Sequence, residues 1–113
     1  MPRIEVTRRV AADPAGVALL LAEPQPWVGP DQTWAVEAPQ RIADGFVAAI
    51  RVSDPIGRLA IGSVTVRPAI GPGCHIQLEI QAQSRVVARL MKKSAESFLD
   101  ALAERAQARS FAA

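Results

Sequence analysis

The chain has 113 residues, enough for one domain over 1–113 and too few for two. Half of the residues are apolar and 21% are charged, a globular composition that excludes a disordered chain. A net charge of +2 with five scattered aromatics supplies no basic stripe with stacking rings, so no nucleic-acid partner is expected.

"RIEVTRRV" (3–10) alternates Ile4, Val6 and Val10 against Glu5, Thr7 and Arg9, which predicts a half-buried strand with Arg8 as the exception. In "ADPAGVALLLAEPQP", Asp13 can cap a helix and Pro14 suits its first position, where a missing N–H costs nothing. Val17, Leu20 and Leu21 form its apolar face. Gly16 keeps this helix short, and Pro24 and Pro26 stop it. "WVGPDQ" (27–32) reads as a loop. The span 33–42 reads as a strand with Trp34, Val36 and Ala38 on one side, and Pro39 marks an edge or a bulge in it. Asp44-Gly45 predicts a hairpin turn. "FVAAIRVS" (46–53) puts Phe46, Ala48, Ile50 and Val52 on one face. Asp54-Pro55-Ile56-Gly57 suits a type I turn. "RLAIGSVTVRP" (58–68) is a further strand, with Gly62 expected at a bulge or bend. After the turn "GPG", the span 74–83 has the cleanest alternation. Cys74, Ile76, Leu78, Ile80 and Ala82 face one way, and His75, Gln77, Glu79, Gln81 and Gln83 the other. One dry and one wet face define an antiparallel sheet covered on one side only.

The cover is "VVARLMKKSAESFLDALAERAQAR" (86–109), a helix spanning about 36 Å. Val87, Leu90, Met91, Ala95, Phe98, Leu99, Leu102 and Ala106 follow its apolar stripe, which is too wide for a coiled-coil seam. The tail "SFAA" is expected to fray. Arg85, Arg89, Lys92 and Lys93 crowd the first half, where the helix dipole disfavours cations. That cluster is either a solvated face or a patch facing an anion or a partner. The fold class is therefore α+β: an antiparallel meander of about five strands gripping a long C-terminal helix, with a short helix after the first strand.

Chemistry is sparse. His75, alone of its type, sits on the wet face and points away from Cys74, so the two make a poor nucleophile–base pair. One His and one Cys supply no zinc site, no acidic pair has calcium-loop spacing, and no phosphate-loop or dinucleotide fingerprint occurs. No metal and no cofactor are expected. A single Cys permits no intrachain disulfide. Glu5, Glu37 and Glu79 are the candidate acids or bases, and the pattern buries none of them. The longest apolar run, "VALLLA", is too short to cross a bilayer, and the start lacks an apolar signal segment. A soluble cytoplasmic protein is expected. A pocket between dry sheet face and helix would be walled by Trp34, Phe46, Ile50, Val64, Ile76, Leu78, Met91 and Phe98, with Trp27 at its mouth.

The order of elements, with "RRVAADPAGVALLLAEPQPW" (8–27) and "RLMKKSAESFLDALAERAQ" (89–107), resembles the START-like (SRPBCC) helix-grip superfamily of polyketide cyclase/dehydrase-like and Bet v 1-like proteins. Members usually run nearer 140 residues with six or seven strands, so this chain resembles a shortened member. The resemblance implies non-covalent binding of an apolar small molecule or lipid between sheet and helix. It also admits a polyketide cyclase- or aromatase-like enzyme, or a protein-interaction module without ligand. It supplies no short catalytic signature to carry to numbered positions. A smaller sheet leaves open edges, and a homodimer covering that side is expected.

Overall fold

In a computed structural model of the chain, the described residues are 2–22, 27–29, 32–53, 59–71 and 73–112. The elements run β1 (Arg3–Val10), α1 (Pro14–Ala22), β2 (Trp27–Gly29), β3 (Gln32–Val36), β4 (Gln40–Ile42), β5 (Gly45–Ser53), β6 (Leu59–Pro68), β7 (Cys74–Gln81) and α2 (Arg85–Ala112). All strands join one antiparallel sheet in the order β1-β7-β6-β5-β3-β2, with β4 also pairing β5.

Seven strands in six positions across the sheet replace the expected five, and two local features account for the two extra strands. Trp27–Gly29 is not loop but an edge strand, with Trp27 opposite Trp34 and Gly29 opposite Gln32. The expected strand 33–42 is divided into β3 and β4, which share one edge of β5. Val36 opposes Ile50 and Gln40 opposes Val47, so residues 37–39 face only residues 48–49. One extra residue on one strand is a bulge. Pro39 sits in it, where its missing N–H breaks no ladder bond, while Glu37 N–H donates to the Ala49 carbonyl at 2.9 Å. The expected hairpin forms, but its turn sits one residue earlier than Asp44-Gly45: Ala43 and Asp44 lie between the paired Ile42 and Gly45, and Gly45 opens β5.

Gly62 carries no bulge. Register runs unbroken through it, opposite Ile50 on β5 and Ile80 on β7. It is glycine because a Cβ there would collide with the Glu79 backbone carbonyl. The residues 54–58 of the expected type I turn and Pro24 and Pro26 lie outside the described residues.

The alternation of β1 and β7 is as the sequence reads: Ile4, Val6, Val10, Cys74, Ile76, Leu78 and Ile80 are buried. α1 begins at Pro14, and Val17 N–H donates to the Asp13 carbonyl at 3.1 Å, which makes Asp13 the N-cap position. α2 starts one residue before the expected 86, because Ser84 caps it. The Ser84 hydroxyl accepts from Val87 N–H at 3.2 Å, and Ala88 N–H donates to the Ser84 carbonyl at 2.9 Å. At its other end the helix continues to Ala112 instead of fraying after Arg109. Its 28 residues span about 42 Å, which matches the 40 Å long axis of the molecule. Among the described residues no helix is long and apolar enough to cross a membrane.

Candidate functional site

The interior is built from the dry sheet face, α1 and α2. Buried side chains come from every layer: Val10, Ile50, Val64, Val66, Ile76, Leu78 and Ile80 from the sheet, Val17, Leu20 and Leu21 from α1, and Met91, Phe98, Leu99 and Leu102 from α2. Among the described residues no polar or charged side chain is buried.

Two contacts show how the sheet holds α2. Phe98 stacks on Trp34 of β3, with ring centroids 4.8 Å apart and planes 10° from parallel. Two residues on, Asp100 pairs with Arg8 of β1 at 3.2 Å. β1 and β3 are four places apart, about 19 Å if the sheet were flat. A helix with its side chains is only about 10–12 Å wide. One turn of α2 therefore touches both sides only because the sheet curls around it. Arg8, the exception in the β1 alternation, lies on the same face as Val6 and Val10 and reaches the helix margin. A charge turned inward on an edge strand also discourages pairing with a further strand.

Of the expected walls, Trp34, Ile50, Val64, Ile76, Leu78, Met91 and Phe98 are all buried in this interior. Phe46 is half-buried and packs against the same core from β5. Trp27 is placed by register opposite Trp34, and its side chain lies outside the described residues. The apolar stripe of α2 needs one correction. Leu90 is 61% exposed, and Val87 is only half-buried. Spacing alone widened the stripe by one position: the residues one turn from Leu90 are exposed (Val86, Lys93) or half-buried (Val87, Ser94), so Leu90 lies beyond the buried face. Val66, Ile80, Leu99 and Leu102 share the interior although they were not among the expected walls. The Trp34–Phe98 stack had no local signal, since its partners are far apart in sequence.

The polar candidates all lie outside this interior. Glu5 and Glu79 stand directly opposite each other on the wet face, where two like charges repel. Arg3 offsets this by pairing with both, at 3.3 Å and 3.1 Å, and Gln77 Nε2 donates to Glu5. Glu37 pairs loosely with Arg51 at 3.7 Å. His75 is exposed on the same wet face, opposite Arg9 and Arg67. Cys74 points the other way, fully buried. Burial, and secondarily the Asp13 carboxylate, pushes its thiol up to about 11, which makes it a packing group and a poor nucleophile. No group of three or more His, Cys, Asp or Glu among the described residues could hold a metal ion.

An antiparallel sheet curled around one long C-terminal helix, with a short helix after the first strand, defines an α+β helix-grip domain. No protein-family model and no curated protein matches the chain. Solved structures do. TTHA0849 from Thermus thermophilus is 19% identical with a TM-score of 0.60, over 96% of this chain and 99% of that one. CV1439 from Chromobacterium violaceum is 17% identical with a TM-score of 0.59, over 94% and 98%. Likeness at these identities shows the fold, and the near-complete coverage shows that this compact form recurs.

Proposed function

We propose that this chain is a short START-like protein that holds an apolar small molecule or lipid between the sheet and α2, by burial and without covalent chemistry. The observation that supports this best is the interior itself. Every expected wall residue with a described side chain joins one apolar core, and no polar or charged side chain is buried among the described residues. Half-buried Val36 and Val87 pack at the margin of this core. A cyclase-like reading needs an acid or base inside, and the carboxylates Glu5, Glu37 and Glu79 are all engaged on the surface.

Native mass spectrometry of the purified protein tests the reading. A population heavier than the 12.0 kDa chain, whose extra mass extracts into organic solvent, is expected. A single bare mass, unchanged after incubation with medium- and long-chain fatty acids, would count against it. The proposal includes a homodimer covering the open side of the sheet, and a monomer by light scattering at high micromolar concentration removes that part.

A further inference from the structure

The first half of α2 carries a surface that the core does not use. Val86 and Leu90 are 67% and 61% exposed and stand one turn apart, so they lie side by side. Half-buried Val87 adjoins Leu90 at the i+3 position, which extends an apolar strip from the core margin into solvent. Arg89 and Lys93, each three residues on from Val86 and Leu90, border this strip on its outer side, Arg85 and Lys92 lie further round the helix, and among the described residues none of the four exposed cations is ion-paired. The first carboxylate of the helix is Glu96, on its fourth turn. Arg85, in the first turn, sits against the positive end of the helix dipole, so helix stability does not explain its charge.

We propose that this strip and the cations beside it dock the protein reversibly on an anionic lipid surface. The chemistry is complementary. Aliphatic side chains enter the boundary between headgroups and acyl chains, and long cationic stems place their charges among the phosphates. A folded acidic partner fits less well. The strip is convex and offers two exposed apolar side chains, whereas a stable protein interface buries about 800 Å² per partner. A fluid surface adapts to a helix face without matching its shape. This inference rests on the surface of α2 alone, and it stands whether or not the interior takes a ligand.

Co-sedimentation of the full chain with vesicles tests it. Binding to phosphatidylcholine mixed with phosphatidylglycerol, none to phosphatidylcholine alone, and weakening at high salt are expected. Each cation removed beside the strip should lower partition about fivefold, so Arg89→Gln with Lys93→Gln should bind about 25-fold more weakly. Leu90→Ser should lose binding severalfold. All three positions are exposed, and an unchanged thermal midpoint verifies that the variants fold. Absence of binding to the anionic vesicles, equal binding to both kinds, or an unaltered Arg89/Lys93 double variant would overturn the proposal. Binding of polyglutamate without binding of vesicles would do the same.

Discussion

Replacing Phe98 by Leu removes the stack on Trp34 while keeping an apolar side chain in place. Both rings are almost fully buried, at 5% and 6% exposure, and they lie nearly parallel with centroids 4.8 Å apart. A pair of this geometry contributes about 0.5–1.5 kcal/mol beyond its burial. Loss of part of the ring volume adds a transfer and cavity cost of about 1 kcal/mol. The sum is about 2 kcal/mol, or a fall in melting temperature of about 8 °C for a domain of this size. Domains of this kind are stable by about 5–15 kcal/mol, so the variant still folds. Urea unfolding followed by far-ultraviolet circular dichroism measures it without relying on Trp34 fluorescence. A cycle with Trp34→Leu should return a coupling of about 0.5–1.5 kcal/mol between the two positions. Exposed Leu90→Ala serves as the reference and should stay within about 0.5 kcal/mol of the parent. A Phe98→Leu variant as stable as that reference, with no coupling to Trp34, would mean that α2 and β3 do not meet and that the sheet does not close on the helix.

The glycines separate by their surroundings. Gly62→Ala should cost about 1–3 kcal/mol, because its Cβ meets the Glu79 carbonyl across the central strands. Gly16→Ala on the exposed side of α1 has open space around it and should stabilise by about 0.5–1 kcal/mol. Urea midpoints of the two variants moving in the same direction would contradict this. Cys74 makes stability depend on alkaline pH. Its folded thiol, raised to about 11 by burial and then by Asp13, favours the protonated form. The resulting stability is whole below the ordinary thiol value of 9.0 and is lost as pH rises towards about 11, by about 2–3 kcal/mol. The sequence has no Tyr to titrate alongside it. Cys74→Ala should flatten the urea midpoint across that window, and an unchanged slope would refute the assignment. Breaking the Arg8–Asp100 pair with Asp100→Asn should cost under about 1 kcal/mol, because the side chains are 38% and 62% exposed. A loss of several kcal/mol on thermal melting would show that this pair, and not the apolar interior, holds the helix.

The parts of the fold that were legible are those with a repeated local pattern. β1 and β7 announce themselves by strict alternation, since each has one face in the core and one in water. α2 announces itself by its stripe and by the lack of Gly and Pro over 86–109. β2 was not legible, because three residues ending in Gly29 offer no period to read. The 33–42 segment keeps its alternation only up to the bulge, where one extra residue shifts the phase. Pro39 carried that signal. Gly62 carried a misleading one: a glycine within a strand fits a bulge or a close backbone approach equally well, and only the register distinguishes them. Ser84, a hydroxyl three residues before Val87, is the cap signal in the sequence for the start of α2. For the candidate site, alternation and helix spacing were enough to choose the walls. They could not pair Trp34 with Phe98, reveal Arg8 reaching Asp100, or expose Leu90, since these depend on how far the sheet curls.

Binding of a fluorescent fatty-acid analogue tests the central claim most directly. The account predicts saturable uptake of one probe per chain, weakened in Met91→Gln, whose polar amide would enter the apolar space. It also predicts weakening in the half-buried Phe46→Leu, a milder variant that preserves the fold if Met91→Gln does not. Probe fluorescence that never saturates, or binding equal in the parent and in the folded variants, would place the molecule outside the space between sheet and α2 and contradict the account.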